Sequence, residues 1–277
     1  MAGASGENFP VALRLLPAAR RRHLAHLYFF ARLTDDLGDN ARADDPRADV
    51  RDYRLRLLDE LAADVERIYR GETPESPVMR AMAQTVGECG IPAGPLLDLI
   101  QANRQDQLVT RYATYPELRR YCELSANPVG RMVLYIFGVA TPERFENSDR
   151  ICTALQLAEH WQDLAEDLSR GRIYLPGEDL ERYGCTEADL AAPTAGPAVR
   201  QLMTFEVNRA GQLLDQGAPL VGTLRGAARL AVAGYLAGGR AALAAIRAQR
   251  YDVLRATPRP RRRRLAAELA LAYLRGR

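Results

Sequence analysis

Leu155-Gln156-Leu157-Ala158-Glu159-His160-Trp161-Gln162-Asp163-Leu164-Ala165-Glu166-Asp167 sets a carboxylate at every fourth position: Glu159, Asp163 and Asp167. On an α-helix this spacing puts the three on one face, about 6 Å apart. No arginine is interleaved to relieve their repulsion. A solvated helix face is the plain reading of any single D-x-x-x-D pattern. A second cluster, Asp35-Asp36-Leu37-Gly38-Asp39, lies in an equally apolar setting. Two such clusters favour a polyvalent cation held between carboxylates. Magnesium takes oxygen ligands and binds one or two carboxylates together with substrate phosphates. Two facing acidic helices would therefore hold a magnesium–diphosphate cluster.

Outward from these clusters, nearly every long segment repeats at helical period and no run alternates with period two. Leu57, Leu58, Leu61, Val65 and Ile68 form one apolar stripe within 49–70. Ser76-Pro77 reads as an N-cap with proline at the first helical position. A helix follows through Leu96, Leu97, Ile100 and Leu108. Pro116 opens another, expected to continue through Tyr121 to the all-round apolar span 132–139, a central core helix. Thr141-Pro142-Glu143 has the character of a helix start. The acidic stretch is expected to be helical from about 148 to 170, with Gly171 ending it. Residues 189–199 read as a surface loop, and long helical patterns then cover 200–216 and 220–251. Pro258-Arg259-Pro260-Arg261-Arg262-Arg263-Arg264 precedes a final amphipathic helix. Gly38 is an oddity, because glycine inside a helix costs about 1 kcal/mol relative to alanine. The pattern predicts one all-α domain over 1–277, with 1–7 a flexible N-terminus.

The composition bounds the function. Of 277 residues, 47% are apolar and 26% charged, which is globular rather than disordered. A net charge of +3 without a basic stripe interleaved with aromatics argues against a nucleic-acid partner. Every basic side chain besides the three histidines is arginine; the absence of lysine excludes Schiff-base chemistry. Cys89, Cys122, Cys152 and Cys185 form no C-x-x-C pair, so a zinc site or disulfide framework is not expected. With no signal-peptide pattern and no apolar run of about 18 residues, a cytoplasmic protein is expected, at most peripheral to a membrane.

Ionising a diphosphate held in such a cluster requires stabilising the leaving group without solvating the cation left behind. Arg32, three residues before Asp35, and Arg172, shortly after the second cluster, suit the phosphate oxygens. A surface ion pair is the plain alternative for each. Aromatic faces suit the cation, by about 0.5–2 kcal/mol each. Phe9, Tyr28, Phe29, Tyr121 and Tyr174 are candidates, though aromatics on apolar helix faces are most often core. His23 and His26, at i,i+3, read as surface residues, and His160 as a packing residue off the acidic stripe.

The motifs resemble the squalene/phytoene synthase family, the head-to-head isoprenoid synthases, over nearly the full chain. Arg32-x-x-Asp35-Asp36-x-x-Asp39 is similar to the family's first aspartate motif. Leu155-Gln156-Leu157-(x)5-Asp163-(x)3-Asp167, with Arg172-Ile173-Tyr174-Leu175-Pro176, is similar to the second. Tyr121-Cys122 ahead of Val129-Gly130 resembles the central-helix motif. Glu7-Asn8-Phe9-Pro10-Val11-Ala12 and Trp161-Gln162-Asp163 are similar to the bacterial hopanoid branch. The resemblance implies a class I isoprenoid synthase bundle with a central cavity. It implies magnesium ligation by Asp35, Asp36 and Asp39 from one side and by Glu159, Asp163 and Asp167 from the other. It also implies a catalytic role for Tyr121, diphosphate binding by Asn8, Arg32, Arg172 and Tyr174, and a pocket lined by Phe9, Tyr28, Phe29, Tyr121, Val129 and Gln156. Glu159 departs from the family, which usually has asparagine there.

Three functions follow as expectations. The first is magnesium-dependent ionisation of presqualene diphosphate, with rearrangement and water capture to give hydroxysqualene and no NADPH requirement. The second is condensation of two prenyl diphosphates to presqualene diphosphate or a phytoene-like product. A non-catalytic relative serving as an assembly or scaffold protein is the third. Hand-off to other hopanoid-pathway enzymes is compatible with the first. The C-terminal arginine run could close over the diphosphate, touch an anionic membrane or simply be solvated. Oligomeric state has no signature in the sequence.

Overall fold

A computed structural model describes residues 16–40 and 49–275, and among these residues the fold is entirely helical. The helices are α1 (Ala18–Asp39), α2 (Val50–Tyr69), α3 (Pro77–Cys89), α4 (Ala93–Asp106), α5 (Tyr115–Ser125), α6 (Asn127–Ile136) and α7 (Pro142–Gln162). They continue as α8 (Leu164–Ser169), α9 (Gly177–Arg182), α10 (Glu187–Leu190), α11 (Pro197–Gly217), α12 (Pro219–Thr223), α13 (Gly226–Ala248) and α14 (Arg262–Arg275). Extended pairing among the described residues is limited to an isolated bridge between Arg111 and Ile173. The chain forms two compact units: 16–109 with 124–141, and 110–123 with 142–275. The expectation of a flexible 1–7 lies outside the described residues.

In the first unit, α1 packs on α2, α3, α4 and α6. The Asp49 side chain accepts from the amides of Arg51 and Asp52 and starts α2, as an N-cap carboxylate should. Leu58, Leu61 and Val65 bury the stripe read from the sequence. Pro77 begins α3 as expected, but the Ser76 side chain makes no capping bond. Instead the buried Asp64 accepts from the Glu75 and Ser76 amides, each at 2.8 Å, and from Arg67 at 2.9 Å. Those amides are thereby satisfied from a distant helix, which fixes the α2–α3 corner. The expected long central helix is broken at Ala126: α5 ends and α6 restarts with Pro128 in its first turn. Proline has no amide to continue the preceding ladder but is pre-set to begin a new one. Met132, Val133, Leu134 and Ile136 are buried, so the apolar span is core.

In the second unit, α7 packs on α11 and α13, and α13 on α14. Pro142 starts α7, and Gly171, at φ 78°, follows the end of α8. The expected loop at 189–199 is shorter than read. Thr186 and Asp189 form a reciprocal capping box that starts α10, and Pro197 already opens α11. Arg209 lies between the buried Asp179 (2.7 Å) and the buried Glu206 (3.1 Å), with its guanidinium over the Tyr115 and Phe205 rings at 4.1 and 4.5 Å. Burial pushes the Glu206 carboxyl up to about 8; Arg209 opposes the rise and Asp179 reinforces it. No described helix is long and apolar enough to cross a membrane.

Candidate active site

The first cluster sits near the C-terminal end of α1. Asp35 and Asp39 are one turn apart, while Arg32 pairs with Asp36 at 3.1 Å, the ion pair that was the plain reading of that arginine. Asp35 is exposed to solvent, yet protein atoms crowd around its carboxyl. This enclosure pushes its carboxyl up to about 7; the Asn103 amide opposes the rise, and Asp39 and Asp106 reinforce it. Because water still reaches it, the metal-free carboxyl titrates through neutrality instead of staying a fixed neutral acid.

Gly38 has a structural reason. A Cβ there would lie 2.5 Å from Asn103 Oδ1, so glycine lets the α4 side chain nestle against α1. Asn103 Nδ2 donates to Asp35 Oδ1 and to the Leu99 carbonyl, both at 3.3 Å, while Gln107 Nε2 donates to the Gly38 carbonyl at 2.9 Å. Asn103 and Gln107 were missed by the motif reading. Their signal was polar residues continuing the apolar stripe of Leu96, Leu99 and Ile100.

The second cluster departs from the single stripe expected. The chain leaves helical geometry at Asp163 (φ −101°, ψ 14°) between α7 and α8, although the Asp163 and Asp167 amides still reach back to Glu159 and Asp163, each at 2.9 Å. Glu159 is exposed, whereas Asp163 is half-buried and the Asp167 side chain is 16% exposed. The three carboxylates therefore meet different surroundings. Burial raises the Asp163 carboxyl above the usual range, Asp167 and Glu166 add to the rise, and His160 and Arg259 oppose it. Arg259 belongs to the arginine run, whose role the sequence left open, and acts on Asp163 electrostatically; Gln162 Nε2 donates to the neighbouring Pro258 carbonyl.

Beside Asp167 lies an aromatic wall. The chain at 110–113 runs along 171–178: the Ile173 amide donates to the Thr110 carbonyl and the Gly177 amide to that of Tyr112, both at 2.9 Å. This places buried Tyr112 against Tyr121 and Tyr174, with ring centroids 5.5 and 6.0 Å away. His160 stacks on Tyr174 at 3.7 Å with an interplanar angle of 12°. Its Nδ1 is 3.8 Å from Asp167 Oδ2 and its Nε2 is 3.2 Å from Gln156 Nε2. A neutral imidazole that accepts from the Gln156 amide at Nε2 would carry its proton on Nδ1, the nitrogen facing Asp167. Trp161, the residue after His160, is fully buried, and its indole N–H has no partner among the described residues.

Tyr121 and Tyr174 thus come together with Gln156 through His160. Tyr28 and Val129 are half-buried in the first unit, and Phe29 there is 56% exposed; Arg172 is half-buried in the second. Asn8 and Phe9 lie outside the described residues. Tyr112 and His160 are additions to the expected wall. Tyr112 carries no motif, and it reaches the wall through the pairing of 110–113 with 171–178.

The donor set suits a hard dication, since it offers carboxylate oxygens and no sulfur. Among the described residues no three His, Cys, Asp or Glu side chains converge as a ready-made cage. Each aspartate pair would therefore need further oxygens, as magnesium sites completed by phosphate do. The raised carboxyl of Asp35 is the observation that fits: a bound cation would favour its charged form against the desolvation, and the smaller repulsion from Asp39 and Asp106, that raise it.

The sequence profile of the squalene/phytoene synthase family matches residues 2–266. A hydroxysqualene synthase of Rhodopseudomonas palustris is 34% identical over 221 residues, covering 79% of this chain and 72% of that protein. A phytoene synthase of Arthrospira platensis is 33% identical over 217 residues, covering 74% and 68%. The crystal structure of a squalene synthase from Alicyclobacillus acidocaldarius superimposes with a TM-score of 0.78 at 42% identity, covering 87% of this chain and 88% of that one. With its helical fold and both aspartate motifs in place, the chain belongs to the squalene/phytoene synthase family.

Proposed function

We propose that the protein ionises presqualene diphosphate and directs the resulting cation to hydroxysqualene. In this reading Asp35, Asp39, Asp163 and Asp167 hold magnesium, with Asp36 and Glu159 at the margins of the two clusters. Magnesium would supply charge neutralisation for the departing diphosphate. Arg172 and Arg259 add positive charge beside the second cluster. The carbon–oxygen bond to diphosphate breaks, the cyclopropylcarbinyl cation rearranges, and water adds with loss of a proton. The Tyr112, Tyr121 and Tyr174 faces attract the cation without reacting with it. Gln156 fixes the His160 tautomer, and His160 in turn braces Tyr174 against the Asp167 carboxylate.

The observation carrying this reading is that buried wall: three clustered phenol rings, with an imidazole stacked on one of them, directly beside a candidate metal-binding carboxylate. The similarity to a hydroxysqualene synthase supports the choice of reaction. The similarity to a phytoene synthase favours a second reading, head-to-head condensation of two prenyl diphosphates. Incubating the purified protein with magnesium and either presqualene or farnesyl diphosphate, without NADPH, separates the two. Hydroxysqualene from presqualene diphosphate is the expected product. Turnover of farnesyl diphosphate to presqualene diphosphate alone establishes the condensation. Squalene formed only when NADPH is added would sink the hydration reading.

A further inference from the structure

The second unit holds a buried charge cluster that the proposed reaction does not use. Two carboxylates converge on one nitrogen: Arg209 Nη1 lies 2.7 Å from Asp179 Oδ2 and 3.1 Å from both oxygens of Glu206. The Asp179 side chain is 4% exposed and that of Glu206 not at all. Two ionised carboxylates against one guanidinium would leave a net negative charge in the interior, a cost that a single retained proton removes. The carboxyls of Glu206 and Asp179 are within hydrogen-bonding reach, so a protonated Glu206 donates to the Asp179 carboxylate. The other groups around the pair are Tyr115 of α5 and Arg182 of α9, which lies 4.9 Å over the Phe205 ring. Charged side chains of the helices that also pack on α11 are engaged elsewhere: Arg240 and Arg247 of α13 with Asp215 and Asn208, Arg144 and Arg150 of α7 with Thr223 and Asn147.

The cluster sits at one end of the pairing that builds the aromatic wall. Arg209 touches both partners of that pairing, since its guanidinium is 4.1 Å over the Tyr115 ring and it also holds Asp179. Toward the wall, the Gly177 and Glu178 amides donate to the Tyr112 and Ala113 carbonyls, both at 2.9 Å, and the Tyr115 amide donates to Glu178 Oε1 at 2.8 Å. A Cβ on Gly177 would lie 3.3 Å from the Ala113 carbonyl oxygen, so glycine lets the two strips approach closely. Helix α9 has six residues, too few to persist as a helix unaided. Its position therefore depends on the pairing and on Asp179.

We propose that Arg209, Asp179 and Glu206 are positioning residues for Tyr112 and Tyr174, latched by one proton that the two carboxylates share. With the proton in place the cluster is neutral and the pairing stays closed. Without it the carboxylates repel, α9 parts from Arg209, and the strip that carries Arg172 and Tyr174 loosens. Opening admits water, in which Glu206 ionises in the usual carboxylate range, whereas burial in the closed form raises it to about 8. The open form therefore gains as pH rises from about 4.5 to about 8, and gains no more above that. The consequence for turnover rests on the reaction proposed above; the latch itself does not.

Amide hydrogen exchange of the full chain at pH 5.5, 6.5 and 7.5, corrected for the intrinsic rate at each pH, reads the latch without substrate or metal. In wild type, protection of the Ile173 and Gly177 amides should fall by up to about tenfold per pH unit. In Glu206→Gln, whose amide donates to Asp179 and whose carbonyl accepts from Arg209 at every pH, it should stay level. Asp179→Asn, which leaves Glu206 alone to pair with Arg209, should level it too. The Ala195 amide, bound to the buried Asp252 at 2.9 Å in the same unit, should hold steady throughout. Protection at Ile173 and Gly177 that ignores pH in wild type, or falls equally in Glu206→Gln, would overturn the latch. So would a matching fall at Ala195, the mark of the whole unit unfolding. With magnesium and presqualene diphosphate, the kcat of wild type should drop by up to about tenfold between pH 7 and 9 at unchanged KM, and Glu206→Gln should keep its pH 7 rate at pH 9. A drop shared by both would reject the positioning role, whereas no turnover at either pH would reject the reaction and leave exchange to decide the latch.

Discussion

Gly38→Ala tests whether α4 tunes the first acidic cluster. The added Cβ would sit 2.5 Å from Asn103 Oδ1 and 3.3 Å from its Cγ, so the whole amide must move by nearly an ångström to restore ordinary contact. Overpacking a filled site costs about 1–3 kcal/mol, while replacing a mid-helix glycine returns about 1 kcal/mol. Net destabilisation should therefore be about 0–2 kcal/mol, readable as a lower denaturant midpoint. The functional effect is separate. Displacing Asn103 removes the amide that lowers the Asp35 carboxyl, so its titration should move upward from about 7. A dry hydrogen bond to a charged group is worth roughly 1.5–3 kcal/mol. Asp35 meets water and the bond is 3.3 Å long, so a rise of about half a pH unit is expected. A metal must displace the Asp35 proton below this pH, and apparent affinity should fall about tenfold for each pH unit on the acid side. Calorimetric titration of magnesium or manganese with inorganic diphosphate between pH 6 and 8 reads the crossover. A crossover identical in wild type and Gly38→Ala, with the stability loss present, would refute the coupling through Asn103.

Asp35→Asn and Asp163→Asn should each reduce turnover by more than tenfold, about 1.4 kcal/mol or more in barrier, with helical circular dichroism intact; retention of a tenth of the rate counts against metal ligation. For Glu159→Gln, the exposed position predicts a magnesium requirement close to that of wild type, and a clearly higher half-saturating concentration would restore Glu159 as a ligand. Glu206 has a folded-state pKa raised to about 8 from a usual 4.5. Its favourable contribution is therefore full below about 4.5 and is lost as pH rises through about 8, at up to about 1.4 kcal/mol per pH unit. Glu206→Gln should flatten that slope, so urea unfolding at pH 6 and 9 ought to show the variant gaining on wild type; parallel curves would mean that Glu206 is already ionised.

The helices were legible where their ends are set locally. Asp49, Pro77, Pro142 and Gly171 act through their own backbone or capping chemistry, and each lies at the boundary read from the sequence. Distant partners were not legible. Asp64 takes over capping of the α2–α3 corner from a separate helix, and the pairing of 110–113 with 171–178 has no periodic signal. Spacing alone made Glu159, Asp163 and Asp167 equivalent, because an ideal 3.6-residue repeat cannot register a departure from helical geometry at Asp163. The role of Asn103 was not legible, because only the fold brings it against Gly38 of α1.

Trp161 is the sole tryptophan of the chain, fully buried two residues from Asp163. Its indole is thus a built-in optical probe at the turn between α7 and α8. Emission should be blue-shifted in the native state, and any rearrangement of that turn on loading with metal and diphosphate should alter intensity or quenching without an engineered label. Because no second tryptophan dilutes the signal, the same fluorescence also distinguishes local loosening at the turn from global unfolding followed by far-ultraviolet dichroism.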